Sequence, residues 1–242
     1  MIHTVAETGS TNADLLAQLR GGERVAEGDW LVADRQTAGK GRQGRTWFDG
    51  AGNFMGSTAI RLGPHDPAPA TLALAVGLAL YEAVVPLAAN EHAEAFRLKW
   101  PNDLLLGDAK IAGILLEREA DTVVAGIGVN LVAAPDLPDR ETIAMSAIGP
   151  APDRDVFAGN LATALALEIE RWRSYGLEPM VRRWENAAHP VGTALRVHPP
   201  GEEPIDGLFA GLTEAGALRL RLAGGAERII HAGDVLLAQT KG

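Results

Sequence analysis

The 242 residues are 47% hydrophobic and 22% charged, with a formal net charge of −9. That balance excludes wholesale disorder and argues against a long nucleic-acid track, which a net anion would repel. The absence of cysteine removes disulfides, thiolate metal sites and cysteine nucleophiles together.

A chain of this length accommodates one large domain and one small one. The first ten residues, MIHTVAETGS, have neither the basic nor the apolar region of a signal peptide, which implies a soluble, cytoplasmic protein. Residues 10–20, STNADLLAQLR, open on hydroxyl and amide groups and continue with Leu15, Leu16 and Leu19 on one helical face. Thr11-x-x-Asp14 reads as a capping box, so Ser10, Thr11 and Asn12 sit where a helix starts. Trp30–Ala33 is a short strand feeding the loop that follows.

That loop, Arg35 to Phe48, holds four cations (Arg35, Lys40, Arg42, Arg45) and three glycines (Gly39, Gly41, Gly44) with no acid among them. Glycines let the backbone approach a ligand and turn N–H groups toward it, and interleaved cations suit phosphate or carboxylate oxygens. The segment contains G-x-G-x-x-G, but a dinucleotide fold requires a helix immediately afterwards. A turn-rich passage, Trp47 to Asn53, leads instead into a strand, Phe54–Leu62. The kinase reading fails as well, because no H-R-D or D-F-G partner lies downstream. An anion-binding loop that closes over a phosphorylated ligand, and is mobile without it, is the expectation.

Between Pro67 and Tyr81 lie fifteen uncharged residues before Glu82, short of the roughly 20 a membrane span needs. Leu72, Val76, Ala79, Leu80, Ala83 and Leu87 give a buried helix over 68–88. Phe96–Trp100 is a strand ending at Pro101. Asp103–Leu106 and Lys110–Glu117 flank Gly107 as a hairpin. Thr122–Leu131 is a strand whose Gly126 and Gly128 leave room for something close against it. Helices follow at Asp155–Tyr175 and Pro179–Ala187. From Pro190 short alternating strands take over, suggesting a compact barrel appended to an α+β domain.

A second polar group is Lys99-Trp100-Pro101-Asn102-Asp103, with Lys110 across the hairpin. Together with the basic loop it fits nucleotidyl transfer, in which a protein positions reactants and neutralises charge developing on phosphorus. The six histidines never fall at metal-ligand spacing, and no G-x-S-x-G elbow is present.

In the order Ser10-Thr11-Asn12, Gln36 with AGKGRQGRTW, KWPNDLLL, KIAGILLE and GIGVNL, the sequence strongly resembles the biotin protein ligases over nearly its whole length. The resemblance implies an α+β biotin–lipoate ligase fold, related to class II synthetases. A mixed-sheet catalytic domain flanked by helices would occupy residues 1–186, and an SH3-like β-barrel 187–242. It implies that biotin's carboxylate attacks the α-phosphate of ATP with its Mg²⁺, giving biotinyl-5′-AMP and pyrophosphate. A lysine of a biotin carboxyl carrier protein, from acetyl-CoA carboxylase or a related biotin domain, then displaces AMP. No prosthetic group, DNA or membrane partner is implied; metal ligands are unassigned, and both monomer and homodimer stay open.

Carried over by resemblance, Ser10, Thr11, Asn12 and Gln36 hold the biotin head group. Lys40, Gly41 and Arg42 cover the carboxylate and adenylate phosphate, with Lys110 and Gly113 beside them. Gly39, Arg45, Trp47, Asn102, Asp103 and Asn130 build the nucleotide side, and Lys110, Arg42 and Lys99 carry catalysis. The family's loop often has Arg where this chain has Lys40, and Gln43 replaces a further frequent cation. A lipoate–protein ligase is the nearest enzymatic alternative, but the R-R-x-S-G-G-G stretch is missing. A biotin-responsive DNA-binding regulator is disfavoured because Ser10-Thr11-Asn12 begins ten residues from the start.

Overall fold

The computed structural model describes residues 1–238. A seven-stranded sheet organises the larger part, from β1 (Ile2–Thr8), β2 (Trp30–Gln36), β3 (Phe54–Arg61), β4 (Phe96–Lys99), β5 (Asp103–Leu106), β6 (Ala109–Glu119) and β7 (Thr122–Val129). Their spatial order is β1-β2-β3-β7-β6-β5-β4. β1 and β2 run parallel and every other neighbouring pair antiparallel, which makes the sheet mixed.

The period of two along the central strands assigns each face a different task. In β7, Val123, Ala125, Ile127 and Val129 enter the main core. That core is completed by α2 (Leu72–Val84), α4 (Arg154–Ser174) and α5 (Leu177–Ala187), with the short α3 (Asn90–Ala93) linking α2 to β4. The alternate residue Val124 joins Ala59 of β3 in a smaller cluster under Leu15 and Leu16 of α1 (Thr11–Arg20). Gly126 and Gly128 continue that second face, and the cavity described below opens over them.

The segment Pro69–Leu87 is long and apolar enough to cross a membrane, longer than the uncharged run alone suggested. In this fold Leu72, Val76, Ala79, Leu80 and Val84 are buried between the sheet, α4 and α5. The start of α1 also differs from the expected capping box. Ser10 is the N-cap, and Asp14 accepts from Thr8 Oγ1 at 2.5 Å rather than capping the helix. Thr11 lies inside the helix, where its hydroxyl is engaged elsewhere.

Among the described residues the C-terminal part is one antiparallel sheet of five strands: β8 (Ala194–His198), β9 (Ile205–Leu212), β10 (Leu218–Arg221), β11 (Glu227–Ile230) and β12 (Asp234–Leu237), in the order β11-β10-β9-β8-β12. It is pinned to the larger part by polar contacts. Leu212 N donates to Glu185 of α5 at 2.6 Å, and Trp100 Nε1 donates to Gly216 O at 3.1 Å.

Candidate active site

A cavity of about 930 Å³ opens between the two sheets and the loop 39–47. Every candidate residue from the sequence lines it except Gly39. Gly39 is buried behind Gln36, where an added Cβ would sit 3.0 Å from Gln36 Nε2.

One region of the wall is neutral. Gln36 Oε1 accepts from Thr11 N at 2.7 Å and from Thr11 Oγ1 at 3.0 Å. Thr11 Oγ1 lies 2.6 Å from Ser57 Oγ, which donates to Asn12 Oδ1 at 2.6 Å. Asn12 Nδ2 donates onward to Glu117 at 2.8 Å. The bonds from Thr11 N and to Glu117 fix the Gln36 and Asn12 amides, the two hydroxyl hydrogens serve three contacts between them, and Ser10, Thr11, Asn12, Gln36 and Ser57 are all buried. Donors and acceptors without net charge suit a neutral polar ligand such as an amide or urea.

Gly126 makes this cluster sterically feasible, because a Cβ there would lie 2.3 Å from Asn12 Oδ1. One same-face step along β7, about 6–7 Å, Gly128 does the same for Trp47, whose indole would meet its Cβ at 2.2 Å. Lys110 Nζ lies 5.6 Å from the Trp47 ring centroid. Trp47 therefore stands between the neutral cluster and the cationic one.

At the cationic end two lysines share one carboxylate. Lys110 Nζ is 2.5 Å from Asp103 Oδ1 and Lys99 Nζ is 3.1 Å from Oδ2. Burial alone would raise the Asp103 carboxyl, but Lys110 and Lys99 on either side hold it well below the usual carboxylate range. Lys110 moves the opposite way from a simple ion-pair partner. Burial lowers it, Asp103 only partly restores it, and Lys99 and Arg140 lower it further. The pair is thus short of negative charge, as a site for an anion should be. Six cations line the cavity against four carboxylates, in a chain of net charge −9.

The glycine loop is tied at several points. Gly41 N donates to Arg45 O at 2.7 Å and Trp47 N to Gly39 O at 2.9 Å. Arg42 donates to Asn102 Oδ1 at 3.0 Å and to Gly233 O at 3.3 Å, while Arg45 reaches Asp234 Oδ1 at 3.0 Å. Asn102 is held by its own Nδ2 bond to Ile114 O at 2.7 Å. Three buried polar atoms on cavity-lining residues, Trp47 Nε1, Asn130 Oδ1 and His198 Nε2, have no partner among the described residues. Buried polar atoms are ordinarily hydrogen-bonded, so each is available to a ligand or water.

The Biotin/lipoate A/B protein ligase family model matches residues 8–131, and the Biotin protein ligase C terminal domain model matches residues 196–237. The biotin–[acetyl-CoA-carboxylase] ligase of Mycobacterium tuberculosis is 37% identical over 97% of this chain and 88% of its own length. The chain belongs to the biotin protein ligase family. A second relative of this ligase, the biotin–[acetyl-CoA-carboxylase] ligase of Paracoccus denitrificans, is 36% identical over 96% of the chain and 98% of its own length. A biotin protein ligase from Aquifex aeolicus, solved in complex with biotin and ATP, superposes with a TM-score of 0.83 at 25% identity, covering 98% of this chain and 99% of that one.

The motifs find most of the cavity wall of the ligase and miss its supports. Ser57 completes the neutral cluster from β3, and the one available signal is its spacing of two from Ala59. Asp234 and Gly233 come from the other sheet, and Arg140 from the segment after β7. None of these lies in a motif.

Proposed function

We propose that the ligase activates biotin with ATP as biotinyl-5′-AMP and transfers the biotinyl group to a lysine of a biotin carboxyl carrier protein. The observation that carries this reading is the polarity split of one cavity. Its neutral cluster suits biotin's uncharged ureido ring, and its cation-rich region suits a carboxylate meeting a phosphate.

In the first step the carboxylate oxygen attacks the α-phosphorus while the bond to the β-phosphate oxygen breaks, releasing pyrophosphate. Thr11, Asn12, Gln36 and Ser57 orient the ring. Lys110, short of counter-charge with Lys99 beside it, offsets the negative charge building between two mutually repelling anions. Arg42 and Lys40 cover the phosphate from the glycine loop. Trp47 and Asn130 offer unused polar atoms to the nucleotide. In the second step a lysine amine attacks the acyl carbon and AMP leaves with the electron pair.

The described residues do not offer a ready-made Mg²⁺ site. Among the described residues no group of three His, Cys, Asp or Glu side chains could hold a metal. The cavity's Asp103, Asp139, Glu202 and Asp234 are each engaged with a cation. In this reading the ion arrives with the nucleotide, held by phosphates and water. Residues 1–186 act as the catalytic domain and 187–242 as a small domain that closes the cavity's far wall.

The test is incubation with ATP, biotin and an apo carrier domain, following mass gain on the carrier. A gain with lipoate and none with biotin would overturn the substrate; no gain with either would overturn the reaction.

A further inference from the structure

The segment after β7 presents a cation that no motif singled out. Asn53 clamps the start of the segment: its Oδ1 accepts from Val132 N at 2.9 Å and Ala133 N at 3.0 Å. The end of the segment pairs with the backbone of Lys110, which donates to Glu141 O at 2.9 Å and accepts from Ile143 N at 3.0 Å. Arg140 stands one residue before this pairing, so its position is set by the same backbone that positions Lys110. The Arg140 side chain lines the cavity and is 21% exposed. Its one hydrogen-bonding partner among the described residues is the adjacent Asp139, whose carboxylate is 58% exposed. A solvated pair of that kind contributes little and exchanges readily.

The backbone pairing of Lys110 with Glu141 and the shared cavity lining place Arg140 at the cationic end. Four of the other cavity cations have internal commitments, Lys99 and Lys110 to Asp103 and Arg42 and Arg45 to Asp234, while Lys40 pairs with no carboxylate among the described residues. A triphosphate brings more negative charge than Lys110 and Lys40 together offset. A guanidinium offers two parallel N–H groups matched to phosphate oxygens.

Resting on the adenylation reading above, we infer that Arg140 binds the β- and γ-phosphates of ATP and stays with them as pyrophosphate leaves. When the α-phosphorus–oxygen bond breaks, the electron pair remains on the departing oxygen, and Arg140 offsets the charge arriving there.

The experiment compares wild type, Arg140→Gln and Arg140→Lys in pyrophosphate release with biotin and ATP and no carrier. Inhibition by added pyrophosphate, AMP binding, biotin binding and a thermal melt accompany it. Arg140→Gln should raise both the KM for ATP and the inhibitory pyrophosphate concentration about ten- to hundredfold, the scale of a charge-assisted hydrogen bond. Binding of AMP and biotin should stay within about twofold and the melt should change little, since the hydrogen bonds Arg140 makes are to its exposed neighbour Asp139; Arg140→Lys should recover part of the loss. Unchanged pyrophosphate inhibition in a folded Arg140→Gln protein overturns the inference alone. An equal loss for AMP overturns it too, because Arg140 would then serve the α-phosphate. A wild type that releases no pyrophosphate with biotin and ATP sinks the adenylation reading together with it.

Discussion

Lys110 and Asp103 meet across the β5–β6 hairpin with Nζ 2.5 Å from Oδ1, and the lysine reaches that contact by lying flat over Gly113. A Cβ at Gly113 would stand 2.9 Å from Lys110 Nζ and 3.1 Å from the Trp47 ring. The hairpin thereby aims an ammonium along its own strand into the cavity instead of out to solvent. In the proposed reaction, Lys110→Ala should slow adenylate formation by about 10²–10³, the scale of removing one preorganised electrostatic stabiliser. Lys110→Arg should recover little, because a wider planar head cannot take the place of the ammonium between Gly113 and Asp103. Pyrophosphate release without carrier measures both. A near-normal rate in folded Lys110→Ala would leave the lysine as no more than a counter-ion for Asp103.

Asp103 makes stability depend on acid. Its folded-state value lies below that of an unfolded carboxylate, about 3.9, so its ionised form stabilises the fold. The contribution is fully present above about pH 4 and fades as pH falls toward the depressed folded value. Asp103→Asn leaves two buried ammonium groups without their carboxylate and should cost about 2 kcal/mol or more at pH 7. In a chain of this size that is roughly 4–8 °C of Tm. The gap between wild type and variant should narrow between about pH 4 and pH 2. A gap that is constant over that range would mean the aspartate stabilises by packing alone.

The parts of this fold visible in the sequence are those where burial is one-sided and local. The Leu15, Leu16, Leu19 stripe and the long apolar helix carry their period in the residues themselves, and the hairpin at Gly107 is marked by a residue that turns at φ 59°. β1 was not legible. It is an edge strand paired on one side with most of its residues exposed, so neither face imposes an apolar alternation. The site divides the same way. Ser10, Gln36, Arg42 and Lys110 stand in short motifs, whereas Ser57, Arg140 and Asp234 reach the cavity through sheet register and the packing of the second sheet. The anchors of the glycine loop follow the same rule: Gly233 and Asp234 lie 191 and 189 residues away in sequence from Arg42 and Arg45.

Gly126 is a requirement of the neutral cluster and not of backbone conformation, since it keeps a φ open to any residue. Gly126→Ala would place a methyl group 2.3 Å from Asn12 Oδ1 and displace the amide from Ser57. Biotin affinity should fall about tenfold or more, the effect of one or two lost hydrogen bonds, with ATP binding little changed. Combining it with Asn12→Ala should add almost nothing, because both changes remove the same amide from the same place. Calorimetric titration with biotin reads all three proteins, and full additivity would show that the methyl group acts elsewhere.

The contact between Arg45 and Asp234 ties the glycine loop to the C-terminal sheet at 3.0 Å, with Arg42 3.8 Å from the same carboxylate. In the proposed reaction the nucleotide's phosphates would take the place of the Asp234 carboxylate beside these guanidinium groups. Both arginines are partly exposed, so each pairing contributes only about 0.2–1 kcal/mol. The Asp234→Asn chain should therefore fold normally, with a loop that detaches several-fold more often. Trypsin should cut it faster than wild type at Lys40, Arg42 or Arg45 when no ligand is present. Biotin with ATP should restore most of the protection, because phosphate takes over the position the carboxylate gave up. Adenylate formation should drop less than tenfold, since the arginines themselves remain. Equal cutting of the two empty proteins would show that Asp234 does not hold the loop. Fast cutting that ligand fails to slow would show that the loop does not close on the nucleotide.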